Sequence, residues 1–191
     1  MSESFVLPDV LPPGLPLVFC GTAAGTRSAQ ERAYYAHPGN MFWRTLLAVG
    51  LTPRLLAPAE FPLLPGFGIG LTDLSKFHHG NDSELPVDAF DVAALRMKME
   101  AAAPGVLAFT SKHAGVSALG RQTRYGLQPQ SFGTTRLFVL PSPSGQARRS
   151  WDVARWQELA DLVRVLPARD PHSRSAVHPT GTPGFPGRGG P

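Results

Sequence analysis

Short apolar runs alternate with stretches of helical period along most of this chain. Residues 17–20, Leu-Val-Phe-Cys, form an apolar run of buried-strand type, followed by the small-residue turn Gly21-Thr22-Ala23-Ala24-Gly25. Residues 40–49 predict a helix with Phe42, Trp43, Leu46 and Leu47 on one side, and residues 69–74, bounded by glycine, suit a strand or its end. Residues 88–102 predict a second helix, carrying Phe90, Ala94, Leu95, Met97 and Met99 and stopped by Pro104-Gly105. A strand over 106–110, a short helix over 112–119, a strand over 137–140 and an amphipathic helix over 151–165 complete the series. Strands alternating with helices imply an α/β fold: one three-layer domain whose central, mostly parallel sheet is covered by helices on both faces. Sites in such sheets form in the loops beyond the carboxyl ends of the strands. The two most unusual loops, after Cys20 and after Leu140, both fall there.

The domain is expected to span residues 1–166. From Pro167 to Pro191 the chain turns to Pro, Gly, Ser, Thr, His and Arg, a composition that buries too little apolar surface to offset its ordering entropy, so residues 167–191 are expected to be a disordered tail. With 191 residues and 42% hydrophobic content the chain suits one well-packed core. The formal charge of +4 adds a weak preference for a polyanionic partner. The single cysteine, Cys20, excludes an intrachain disulfide and a cysteine-based metal cluster, which fits a reducing, cytoplasmic setting. No run approaches the length of a membrane span, and nothing at the N-terminus reads as an export signal. A soluble monomer without a membrane partner is expected.

The first loop lacks the glycine and lysine spacing of a phosphate loop and the glycine spacing of a dinucleotide loop, which removes the usual anchors of nucleotide cofactors. Taken alone it is an ordinary strand-to-helix turn, although a closely approached backbone of this kind can also serve a flat base. Tyr34 and Tyr35 precede the helix of residues 40–49, so at least one of them is a candidate stacking platform, whereas Phe42 and Trp43 read as core. The second loop, Pro141-Ser142-Pro143-Ser144-Gly145-Gln146-Ala147-Arg148-Arg149-Ser150, joins stiff prolines, hydroxyls and two arginines. It is either a turn with a solvated basic end or a rigid element that enters a DNA groove while Arg148 and Arg149 hold phosphates. His78 and His79 lack a carboxylate or cysteine partner at ligand spacing, so phosphate contact or solvent exposure suits them better than a metal.

In their order along the chain, Val18-Phe19-Cys20-Gly21, Ala36-His37-Pro38-Gly39-Asn40-Met41-Phe42-Trp43, Gly70-Leu71-Thr72-Asp73-Leu74 and Val139-Leu140-Pro141-Ser142-Pro143-Ser144-Gly145 resemble the motifs of the mismatch-specific uracil-DNA glycosylases, the family that includes thymine-DNA glycosylase. The resemblance implies a uracil-DNA glycosylase-like fold, no metal and no cofactor. It also implies a monofunctional enzyme that flips uracil out of double-stranded DNA, notably from G:U mismatches, and hydrolyses its N-glycosidic bond. By the same resemblance Thr22 contacts uracil through its backbone, Tyr35 stacks on the flipped base, Asn40 supports the pocket and Ser142 lies in the substrate-binding set. Gly145, Gln146 and Ala147 match the wedge that fills the vacated stack, with Arg148 beside it on DNA.

One departure changes the chemistry. The family's first motif reads Gly-Ile-Asn-Pro-Gly and its Asn positions the attacking water, whereas this chain has Ala23 there, which can neither hold nor polarise water. A carboxylate is the natural substitute, because it can orient water, take its proton and oppose positive charge on the sugar. Asp82 is the favoured candidate, set among loop-forming residues without an evident capping duty; Glu84 is second, and Asp88 stands near an expected helix start where it would serve exposed amides. Asp82 merely shaping a turn is the competing view. The alternative for the whole chain is a catalytically weak or silent DNA-binding module that keeps the base pocket. A nucleophile-elbow hydrolase is disfavoured, since no G-x-S-x-G motif occurs.

Overall fold

The computed structural model describes residues 4–86 and 88–166, except for the side chains of residues 148–150. The expected tail, residues 167–191, lies outside the described residues. The described part is an α/β structure built on a five-stranded sheet in the order β2-β1-β3-β5-β4. Its strands are β1 (Leu17–Gly21), β2 (Ile69–Asp73), β3 (Val106–Phe109), β4 (Gly126–Phe132) and β5 (Thr135–Val139). β2, β1, β3 and β5 run parallel, and only β4 is antiparallel to its neighbour. The helices are α1 (Thr26–Glu31), α2 (Phe42–Ala48), α3 (Val92–Ala102), α4 (Lys112–Leu119) and α5 (Val153–Arg164).

The central strands β1 and β3 are free of polar side chains and buried at every position because both faces of the sheet are covered there. The twofold alternation of strand side chains then divides the core. Leu17, Phe19, Val106, Ala108 and Phe138 pack with Phe42, Trp43 and Leu46 of α2 and Trp156 and Leu159 of α5. Val18, Cys20, Leu107, Phe109, Leu137 and Val139 pack on the other face with Leu95 and Met99 of α3 and Ala114 of α4. Phe19, Phe42 and Trp156 meet ring to ring, with centroid separations of 5.1 to 6.0 Å. This aromatic knot fixes α2 and α5 beside the carboxyl end of β1.

Several elements differ from the sequence-based expectation. The helix expected over 88–102 begins only at Val92, and its N-cap is Asp91, whose Oδ1 accepts the Ala94 N–H at 2.8 Å. Asp88 therefore does not serve that helix start. β4 carries the polar sequence Gly-Leu-Gln-Pro-Gln-Ser-Phe with an irregular register between Leu127 and Ser131, so no apolar run announces it. Its place at the sheet edge tolerates Pro129, which has no N–H to donate. A 3-10 stretch, Pro58–Phe67, contains Pro62 and Pro65 and leads into β2. The segment before β1 is tied to the edge of β2 by reciprocal backbone bonds between Val10 and Leu71.

Removal of the Asp91 cap in Asp91→Ala should lower stability by about 1 kcal/mol, whereas Asp88→Ala should leave it within about 0.5 kcal/mol. Paired denaturant titrations check the difference.

Candidate active site

The carboxyl ends of β1, β2, β3 and β5 open on a cavity of about 710 Å³. Its wall takes Gly21, Thr22 and Ala23 from the turn after β1, Asp73 from the end of β2 and Thr110 from the end of β3. Tyr35 and Asn40 enter from the segment before α2, Asp82 from the loop after β2, and Ser142 with Gly145, Gln146 and Ala147 from the loop after β5. The site residues expected from the sequence therefore share one cavity, except Arg148 and Arg149, whose side chains lie outside the described residues.

Backbone bonds lace the two loops on the β1–β2 side together. Leu74 N–H donates to Gly21 O at 3.0 Å, Ser75 N–H to Thr22 O at 2.8 Å and Gly80 N–H to Ala24 O at 3.0 Å. This lacing holds residues 80–83 over the turn that contains Ala23. The Thr22 hydroxyl donates to Asp82 Oδ1 at 2.6 Å, so the exposed Asp82 carboxylate is oriented on the cavity rim. Glu84 is occupied differently: its two carboxylate oxygens accept the backbone and side-chain N–H groups of Asn81 at 2.7 and 3.2 Å, and these bonds hold its carboxyl below the usual range. Neither Glu84 nor Asp88 lines the cavity.

Of the two tyrosines, Tyr34 is core. It is only 2% exposed, donates its hydroxyl to Pro8 O at 3.0 Å and accepts from Lys76 Nζ at 3.1 Å. Tyr35 lies half-buried in the cavity wall with its ring stacked on Phe42, centroids 3.9 Å apart and 19° from parallel. Its hydroxyl shares a hydrogen bond with Thr110 Oγ1 at 3.2 Å. The backbone at Tyr35 adopts φ of 52°, a left-handed conformation uncommon outside glycine, which the ring stack and hydroxyl bond help to hold. Asn40 Oδ1 accepts the Phe42 N–H at 2.9 Å and so supports the start of α2. The loop after β5 leans on this same segment: Met41 N–H donates to Pro143 O at 2.8 Å, and a side-chain carbon at Gly145 would come 3.0 Å from Gly39 O.

Asp73, inside the stretch Gly70-Leu71-Thr72-Asp73-Leu74, is a cavity residue beyond those expected from the sequence. Register pairs Gly21 with Asp73, and the Gly21 N–H donates to the Asp73 carboxylate. The approach is so close that a Cβ at position 21 would stand 2.5 Å from Asp73 Oδ1, which requires glycine there. Asp73 is 6% exposed, and burial pushes its pKa up to about 7; Lys76, the Gly21 amide and Lys98 oppose that rise, while Asp9 adds to it. Lys76 and Lys98 are themselves engaged by Asp9, at 2.8 and 2.6 Å. Asp9 also accepts from Thr72 Oγ1 at 2.7 Å and has a lowered pKa: burial raises it, and Lys76, Lys98 and Thr72 together outweigh that penalty. A carboxyl at the end of an otherwise apolar strand, flanked by a glycine on the neighbouring strand, was the available signal.

His78 and His79 are exposed, with His78 Nδ1 3.3 Å from Ser75 Oγ. Among the described residues no cluster of three His, Cys, Asp or Glu side chains could hold a metal ion.

Comparison with known proteins gives this cavity a lineage. The profile of the uracil DNA glycosylase superfamily matches residues 8–164. The chain belongs to that superfamily. Its structure is also similar to the solution NMR structure of a protein from Methanosarcina acetivorans provisionally described as a uracil DNA glycosylase, with a TM-score of 0.57, 25% sequence identity, and coverage of 86% of this chain and 98% of that one. The superfamily match takes in β1 through α5 and hence every loop of the cavity.

The buried acid of this glycosylase-superfamily site has a measurable consequence. The folded chain keeps the Asp73 proton up to about pH 7, while an unfolded chain releases it near 3.8. The folded state therefore binds more protons across that interval, and Asp73 takes stability away as pH rises through it. Asp73→Asn should gain stability relative to the parent by about 3 kcal/mol between pH 5 and pH 8. Thermal unfolding at the two pH values checks this, and a difference independent of pH would contradict it.

Proposed function

We propose that the chain is a monofunctional, mismatch-specific uracil-DNA glycosylase, acting on uracil flipped out of double-stranded DNA. The observation that carries this reading is the convergence, in one cavity at the sheet's carboxyl edge, of the turn after β1, Tyr35, the loop after β5 and the oriented carboxylate of Asp82. Superfamily membership supports cleavage of an N-glycosidic bond as the reaction.

In this reading the Tyr35 ring, backed by Phe42, offers its cavity side to the extruded base. Asp73 meets a polar edge of the base and, as a carboxylic acid, donates a hydrogen bond there. Gly145, Gln146 and Ala147 fill the gap left in the base stack, with Arg148 and Arg149 on the flanking phosphates. Asp82 takes the task that Ala23 cannot perform. The C1′–N1 bond breaks with its electron pair leaving on uracil, positive charge grows on the sugar, and a water oxygen adds to C1′ as its proton passes to the Asp82 carboxylate. Asp82 is the assignment because it lines the cavity and spends one oxygen on Thr22, whereas Glu84 spends both on Asn81. Ala23 also favours a second reading, a weak or silent module that binds DNA through the same pocket.

Single-turnover cleavage of duplexes containing G:U pairs separates the two. The parent should release uracil and leave an abasic site, and Asp82→Asn should slow the step about 10²- to 10⁴-fold with DNA affinity retained, while Glu84→Gln acts more weakly. A parent protein that binds uracil-containing DNA without releasing base selects the silent module. Asp82→Asn cleaving at the parental rate removes Asp82 from the reaction.

A further inference from the structure

The modest net charge of the whole chain conceals a strong segregation. Between Glu100 and Asp152 there is no acidic residue, yet this stretch contains Lys112, Arg121, Arg124, Arg136, Arg148 and Arg149. It builds β3, α4, β4, β5 and the loop after β5, so one side of the sheet's carboxyl edge is cationic while Asp73 and Asp82 occupy the other. Arg136 does not share this edge, because it pairs with Val106 at the opposite end of β3.

Lys112 and Tyr125 both line the cavity, with Lys112 Nζ 5.3 Å from the centre of the Tyr125 ring. Arg121 and Arg124 sit in the turn between α4 and β4, immediately before Tyr125. That turn is braced: Gly120 N–H donates to Val116 O at 2.8 Å, the Thr123 hydroxyl to Gly120 O at 2.6 Å, and Gln128 Nε2 to Arg124 O at 2.7 Å. Lys112, Arg121 and Arg124 are exposed, and among the described residues none of them forms an ion pair. Cationic side chains on a rigid turn, without internal counter-charges and continuous with the cavity mouth, complement a phosphodiester backbone.

We infer that Lys112, Arg121 and Arg124 form a second DNA-backbone surface, on the α4–β4 side of the cavity, that holds the strand carrying the extruded nucleotide. The surface rests on the proposed base-excision reading for its geometry: a nucleotide with its base in the cavity must pass its own backbone over the mouth, and Lys112 stands at that mouth. The acidic side, with Asp82, repels the same backbone and so fixes the direction in which the strand can leave.

Binding of uracil-containing and ordinary duplexes of the same sequence, measured by fluorescence anisotropy from 50 to 300 mM NaCl, tests the surface. In Lys112→Ala/Arg121→Ala/Arg124→Ala the slope of log affinity against log salt should flatten by about 2 to 3, since each phosphate contact contributes about 0.9. Affinity for both duplexes at 150 mM salt should fall at least about tenfold, the cost expected when several such contacts are lost. Arg96→Ala, which removes a single exposed positive charge outside the cavity lining, should change affinity less than about twofold. A triple variant that is folded by circular dichroism and keeps the parental slope overturns the surface, as does an equal effect of Arg96→Ala. Because binding is read without excision, a parent protein that never releases uracil would defeat the glycosylase reading while leaving a flattened slope intact.

Discussion

The close approach of Gly21 to Asp73 is the contact on which the rest of the site depends. Parallel pairing of β1 with β2 sets these residues side by side at the carboxyl edge, and the missing Cβ lets the Gly21 amide reach the buried carboxyl. From that pair the chain leaves β1 as the turn 21–25 and leaves β2 as the loop containing Asp82, so one register positions both walls. The bonds from Leu74, Ser75 and Gly80 to the turn extend that register beyond the strands. A shift of β2 by one residue would move Asp73 to the other face of the sheet and carry the Asp82 loop with it.

Asp9, from the segment before β1, binds both Lys76 and Lys98, so the two cations nearest Asp73 are held by another carboxylate. Burial therefore dominates the Asp73 carboxyl, and an acid that can donate a hydrogen bond near neutral pH results. Asp82 has the opposite setting: exposed on the rim and bonded to the Thr22 hydroxyl. Two carboxyls on one cavity thus stand in contrasting environments, one buried and one exposed.

The parallel strands were legible in the sequence because a sheet covered on both faces writes continuous apolar runs, as in Leu-Val-Phe-Cys before Gly21. β4 was not, because an edge strand with Pro129 and the exposed polar residues Gln130 and Ser131 carries no such run. The helix cap fell on Asp91 rather than near Asp88, since several acids precede the apolar period and only three-dimensional packing selects among them. In the site, Thr22, Ala23, Tyr35, Asn40, Ser142 and Asp82 come together through motif order and loop position. Asp73 stayed hidden because a single acid in Gly-Leu-Thr-Asp-Leu looks like a strand terminus until the glycine on the neighbouring strand is known.

In the proposed reaction a carboxylate carried by the loop after β2 does the work of the residue absent at position 23. Both positions line the same cavity, so an Asn at 23 should recover part of what is lost at 82. The direct measurement is single-turnover uracil release by the Ala23→Asn/Asp82→Asn protein against Asp82→Asn alone. The account predicts at least a tenfold recovery at unchanged DNA affinity, about 1.4 kcal/mol of restored transition-state stabilisation. A double variant no faster than Asp82→Asn would contradict it.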